Sequence, residues 1–535
     1  MPPHPLTPAG RRSRRAWTAI GLIAACLLAR PPAAATLRMA SAFDPQSMDP
    51  HGLALQYQTR VVSQIYDSLV GRDRNFELEP ALATSWQAIE PTRWRFRLRP
   101  DVRFHDGTPF TADDVVFSIK RALAKNSQRA FQLRGLLSAQ EVDPLTVDLV
   151  LAAPDAVLPE KLVYVGMMSR AWSVAHDVVE PQNYDARQET YAVRHANGTG
   201  PFELKSYESD VRTVLVANPH WWGKRGNVDQ AVFEVIQSDA TRLAALVSGQ
   251  VDFVIDPPFQ DVARLAHEGR FRLESTDDIG AQYLGFDQSR DQLQSGDVKG
   301  RNPFKDLRVR RAVYLAIDID SIVAKVLRAQ ATPTGSYLSP RSGGASRDSD
   351  HRLPYDPAQA RALLKEAGYP DGFATTLDCV NVAFRAAVCQ ALAGMLAQVG
   401  IRASFQPWPT ATFFPKLTQA TTSFFEFGWS PGTDAWPMLN ATVHSHDGQG
   451  SGTFNGGRYA NPRLDRVIEA IRVEPDLDRR RQRVTEALAI MHADLPLIPL
   501  YRRKLTWVMR PEVHVAQWPN DVLELRFVRI AGASL

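Results

Sequence analysis

The chain has 535 residues, 62 basic and 58 acidic, for a formal charge of +4. Five of the basic residues and none of the acidic ones lie in positions 1–35, so the 500 residues beyond are close to neutral and a nucleic-acid footprint is excluded. That length exceeds one hydrophobic core and predicts two or three domains. Three cysteines without a CxxC spacing exclude a thiolate zinc site.

Residues 1–35 read as a signal peptide. Arg11, Arg12, Arg14 and Arg15 form a positive head, Ala16 to Ala29 an apolar run too short for a comfortable membrane span, and Ala33–Ala35 a small-residue cleavage site. Ser13-Arg14-Arg15 only faintly matches a twin-arginine signal. Ile23 to Cys26 resembles a lipoprotein box, but Leu27-Leu28 continue the apolar run, so a soluble exported product is favoured over a lipid anchor at Cys26.

Beyond the leader, strand and helix signals alternate, which predicts an α/β fold. Leu37 to Phe43 reads as a strand and Leu53 to Val70 as an amphipathic helix. Arg93 to Leu98 alternates arginine with Trp94, Phe96 and Leu98, as a half-buried strand does. Arg103 to Ala122 crowds His105, Asp106, Asp113 and Asp114 around Gly107, as a catalytic loop does. Turn and helix chemistry account for it better. Asp106-Gly107 is a turn, and Thr111 with Asp114 forms a capping box ahead of the apolar Val115, Val116, Phe117 and Ile119.

Further along, Phe202 to Tyr207 and Thr213 to Ala217 read as paired strands, Thr241 to Ser248 as a helix stopped by Gly249, and Val251 to Ile255 as a buried strand. Asp306 caps a helix. Asp356-Pro357 starts another that Gly368 ends, and Val388, Leu392, Met395 and Val399 form the stripe of a third before Gly400. Loops are expected at 287–302, 335–354 and the glycine-rich 447–457. Cys379 closes a strand and Cys389 lies two turns into the next helix, which leaves a disulfide and two buried thiols equally open.

Four blocks carry a resemblance: Phe104 to Leu123 (FHDGTPFTADDVVFSIKRAL) after Leu82 to Gln87 (LATSWQ), Asn197 to Gly223 (NGTGPFEL through NPHWWG), Asn302 to Asp318 (NPFKDLRVRRAVYLAID) and Tyr355 to Gly372 (YDPAQARALLKEAGYPDG). With ASAFDPQSMDP at Ala40 to Pro50 and PLIPLY at Pro496 to Tyr501, they resemble, in order, the extracellular solute-binding proteins of family 5, periplasmic oligopeptide and dipeptide receptors of ABC transporters. The resemblance implies two lobes around a hinged cleft plus an inserted third domain. Mapped here, residues 36–71, 190–285 and 506–535 form lobe I, 72–189 the inserted domain and 286–505 lobe II. It implies a monomeric, non-enzymatic receptor in the Gram-negative periplasm that hands a peptide or peptide-like solute to an ABC permease, with no cofactor. A receptor for a metal complex, haem or opine-like solute is the alternative, and a secreted hydrolase a remote one.

Peptide-binding members of the family hold the ligand amine with an aspartate three residues after a tryptophan. This chain has Gly432 there, and Asp434 stands five residues after Trp429. A desolvated carboxylate with an indole beside it would suit an ammonium group, so Trp429, Asp434 and Trp436 are the ligand candidates, with Phe43 added by its position in the family. The competing reading makes the tryptophans core and Asp434 a helix cap. His444-Ser445-His446-Asp447 is the one metal-like cluster if it lies on a strand. No G-x-S-x-G, P-loop or HExxH sequence is present.

Overall fold

The computed structural model describes residue 1 and residues 35–346, 350–430 and 432–532. The signal-peptide reading therefore lies almost wholly outside the described residues. Among those described, no helix is long and apolar enough to cross a membrane. The α/β expectation holds: a 12-stranded mixed sheet runs through the molecule, and a separate four-stranded antiparallel sheet carries Ala83–Glu90, Arg93–Leu98, Thr146–Leu151 and Leu136–Asp143.

The large sheet is continuous across two cores because one long strand, Leu497–Met509, belongs to both. Its first half pairs with Ala281–Phe286 and its second half with Arg272–Asp277 and Phe253–Val254. On one side, the strand Thr36–Ser41 lies parallel to Gln230–Val235 and to Phe253–Val254. Leu37, Met39, Phe202, Phe253 and Trp507 form the core there. On the other side, Phe424–Trp429 pairs with Ala281–Phe286, and Phe373–Val380 runs parallel to Ile401–Trp408. Leu284 and Phe286 lie in the core of that second half with Phe304, Leu377 and Phe424.

The crowded acidic block is scaffold. The helix Ala112–Ala122 starts with the predicted Thr111–Asp114 capping box, and Gly107 takes the left-handed backbone of its turn at φ 84°. Asp106 accepts from Asn197 Nδ2 at 2.8 Å and Asp113 pairs with Arg170 at 2.9 Å. His105 accepts the Gly198 N–H at Nδ1 (3.3 Å), which leaves Nε2 to donate to Gly200 O (3.1 Å). That pairing defines a neutral imidazole, and burial holds its pKa down at about 4. Arg93 and Arg95 on the alternating strand both reach Asp148 of the neighbouring strand. Asp306 and Asp356 cap their helices, and Gly249, Gly368 and Gly400 have positive φ at the predicted stops.

Two local expectations change. The helix predicted from Leu53 to Val70 spans only Gln56–Val62. Beyond it, the carbonyls of Gln64 and Ile65 accept the N–H groups of Phe202 and Gly200 instead of continuing a helical ladder, and Val70–Arg72 is a strand. The open disulfide question resolves as a bridge between Cys379 and Cys389, with a Cα–Cα separation of 6.8 Å. It closes a loop with a sequence separation of 10, so a Cys379→Ala, Cys389→Ala double variant should lose about 2–3 kcal/mol in chain-entropy terms. Urea unfolding followed by tryptophan fluorescence, with the oxidised protein as reference, measures it; an unchanged midpoint would show the bridge to be idle.

Candidate functional site

The carboxyl ends of the parallel strands in the first half and the end of Phe424–Trp429 in the second supply the candidate site, a placement common in open α/β sheets. On the first side the chain leaves Ser41 under tight control. Asp256 accepts from Ala42 N at 2.9 Å and Ser41 Oγ at 3.2 Å, and Asp44 accepts from Tyr207 Oη at 2.6 Å and Asp210 N at 2.8 Å. Phe43 stands between these anchors, 55% exposed, its ring stacked on Tyr57 at 5.4 Å. An exposed phenyl ring held on a fixed backbone is a ready apolar platform. It lines a small cavity with Tyr57, Arg60 and Phe233.

On the other side Trp429 ends its strand, half-buried against Phe454 at 5.1 Å, and its indole N–H is buried without a partner among the described residues. A donor left open in this way is costly unless something accepts from it. Between the two sides lies the crossover of the long strand. Asp278 accepts from Ser430 Oγ at 2.9 Å and pairs with Arg503 at 2.6 Å, while Arg502 donates to the carbonyls of Ile279 and Gly280. Gly280 must be glycine, since a Cβ would sit 2.5 Å from Trp429 O.

The remaining candidates are placed differently from expectation. Asp434 is no open carboxylate: it pairs with Arg480 and its Oδ1 accepts the Trp436 N–H at 2.7 Å. Burial pushes its pKa up while the Arg480 charge opposes that shift. Trp436 lies between two cations, with Lys161 Nζ and Arg472 Cζ each 5.3 Å from its ring. The histidines sit on a loop, because the chain has just left the helix Trp436–Thr442. His444 Nδ1 meets its neighbour's carbonyl, Ser445 O, at 2.8 Å, and His446 Nδ1 meets Gly452 O at 3.3 Å. Asp447 accepts three backbone N–H groups of the glycine-rich turn. These three do not converge on a metal. The one metal-like grouping among the described residues is Cys379, Cys389 and Glu426, and there the two thiols are already spent in the disulfide.

Sequence reasoning missed the charged partners of this region. Arg385 pairs with the fully buried Glu426 at 2.7 Å, and Arg503 pairs with Asp278 across 225 residues. Nothing in local spacing marks either pair.

The family model for "bacterial extracellular solute-binding proteins, family 5 Middle" matches residues 77–450. Among curated relatives, heme-binding protein A of Haemophilus influenzae is 26% identical over 472 residues, 82% of this chain and 81% of the relative. Glutathione-binding protein GsiB of Salmonella paratyphi A is 26% identical over 469 residues, 86% of this chain and 87% of the relative. Among solved structures, HbpA2 from Haemophilus parasuis superposes with a TM-score of 0.80 at 21% identity, over 92% of this chain and 99% of that one. The periplasmic binding protein DppA from Helicobacter pylori, in complex with the peptide STSA, gives 0.74 at 22%, over 92% and 98%. With more than half its length under the family model, the chain belongs to the bacterial extracellular solute-binding proteins of family 5.

Proposed function

We propose that the protein is a periplasmic receptor that takes a peptide or peptide-like solute between Phe43 and Trp429 and delivers it to an ABC permease. What supports the reading is an exposed, backbone-anchored phenyl ring in one half of the sheet and, in the other, a buried indole N–H that has no acceptor among the described residues. Relatives support the solute class: one is named for glutathione, and one neighbouring structure holds a tetrapeptide. Asp434, tied to Arg480, serves here to hold its loop, so the ligand amine is met by other groups. Residues 1–35 act as the export signal, and the exported chain works as a monomer without catalysing a reaction. Lobe II begins near Gly280, where the chain enters the second core, and the inserted domain spans about 72–189.

The test is direct. Purified protein is melted alone and with glutathione, di- to tetrapeptides, opines, haem and nickel–histidine complexes, and the denatured protein is searched for co-released solute by mass spectrometry. A bound solute at 100 times its dissociation constant stabilises by about 2.7 kcal/mol. Phe43→Ala should weaken that ligand without shifting the ligand-free midpoint, and Trp429→Phe should weaken it as well. Stabilisation by haem alone, or by none of the panel, removes the peptide reading.

A further inference from the structure

The inserted domain reaches across to the loop that follows Trp429. Glu160 lies in the short helix Leu158–Lys161, on the inserted-domain side. Its Oε1 accepts the Thr433 N–H at 3.1 Å and its Oε2 accepts the Thr433 hydroxyl at 3.0 Å. Arg72 pairs with the same carboxylate and also donates to Thr433 Oγ1 at 3.2 Å. All of this is shielded, with the Arg72 side chain 2% exposed and that of Glu160 12%. Position 432 permits the approach: a Cβ there would lie 2.2 Å from Glu160 Oε1, so only glycine lets a carboxylate held by Arg72 reach the next amide.

The rest of the seam points the same way. Arg480, which holds Asp434, also donates to Ala156 O at 3.4 Å. Ala156 N donates to Arg472 O at 2.9 Å, and Lys161 faces Trp436. From its own lobe, Thr433 gains the Gly343 N–H at its carbonyl, at 3.1 Å. The inserted domain is meanwhile fastened to lobe I by the buried Asp49–Arg121 pair and by His51 Nε2 to Gly166 O at 2.9 Å. Any parting of the lobes about the shared strand therefore has to break the Glu160–Thr433 bonds or drag the loop along.

Resting on the cleft reading above, we infer that Glu160 is a positioning residue of the ligand cleft: by clasping Thr433 it fixes the loop after Trp429 and sets how readily the lobes part. Charge-assisted bonds to a buried carboxylate are among the stronger ones available to such a clasp. The third domain is then a working part of the receptor.

The experiment needs no ligand. Spin labels are placed at Leu137→Cys in the inserted domain, 61% exposed, and at the exposed Arg466→Cys in lobe II, with native Cys379 and Cys389 tied to each other. Pulsed electron–electron resonance reads the distance in otherwise native protein, Glu160→Gln, Thr433→Val and Thr433→Ser. The native and Thr433→Ser proteins should give one narrow distribution. Glu160→Gln and Thr433→Val should add a longer-distance population, raising the open-to-closed ratio about tenfold. A narrow distribution in Thr433→Val, or broadening that Thr433→Ser shares, overturns the inference, and this holds even if Glu160→Gln fails to fold. Failure of every solute to stabilise native protein would instead strike the cleft reading, leaving the distance result independent of it.

Discussion

Replacing Arg121 with methionine should destabilise the protein by about 3–5 kcal/mol, because it strands a buried carboxylate. Arg121 and Asp49 are 1% and 0% exposed and joined by two bonds of 2.7 Å. Asp49 also accepts the backbone N–H groups of His51, Gly52 and Gln182. Arg121 in turn donates to Val178 O and Glu180 O. Burial alone would raise the Asp49 carboxyl, but the charge and hydrogen bonds of Arg121 hold it well below the usual carboxylate range. Methionine fills the space of the stem and leaves that anion with amides alone. Urea unfolding of Arg121→Met measures the loss, and the Asp49→Asn, Arg121→Met double variant should recover part of it, since no buried charge remains. A single variant within 0.5 kcal/mol of native, about the scatter of a neutral surface change, would mean that the buried pair does not hold these two segments together as its geometry describes.

Much of the local structure was readable as pattern but not as partnership. The capping box at Thr111, the turn at Gly107, the helix caps at Asp306 and Asp356 and the glycine stops depend on residues within four positions of each other, and local chemistry decides them. The helix predicted over Leu53 to Val70 failed where a distant segment, Gly200 to Phe202, claims the carbonyls of Gln64 and Ile65. The ligand candidates divide in the same way. Trp429 and Phe43 were named by analogy with the family, and they remain the residues proposed for the cleft. The fate of Asp434 was not legible, because Arg480 lies far along the chain on the helix Leu477–Asp494 and Glu160 meets Thr433 across 273 residues. A carboxylate in a loop has the same sequence signature whether it awaits a ligand amine or is already held by an arginine.

Stability should change little between pH 7 and about 4 and then fall steeply, because two opposing sets of buried groups titrate together. Burial first, then the charge of Arg121, pushes His51 down to about 3, and burial holds His105 at about 4. His51 accepts from Arg121 at Nδ1 and gives its Nε2 proton to Gly166 O, so an added proton would face a guanidinium. A histidine whose folded pKa lies below its unfolded value of 6.5 costs stability as pH falls through that interval. Asp67 and Glu524 run the other way. Burial raises them to about 6 and about 7, although Asp67 accepts from two indole N–H groups and Glu524 faces Arg526. Carboxyls raised on folding contribute most below their unfolded pKa and lose that contribution as pH rises through the folded one. Between pH 7 and 4 the carboxyls gain roughly what the histidines lose. Below that interval the carboxyls are already protonated in both states, while His51 and the depressed Asp49 continue to draw stability away. Glu524→Gln removes one compensating group, so at pH 5 the variant should have lost about 2 kcal/mol more than native protein relative to pH 7. Unfolding midpoints of both proteins at half-unit steps from pH 7 to 3 test this; parallel profiles would mean that Glu524 does not titrate in the folded protein within that range.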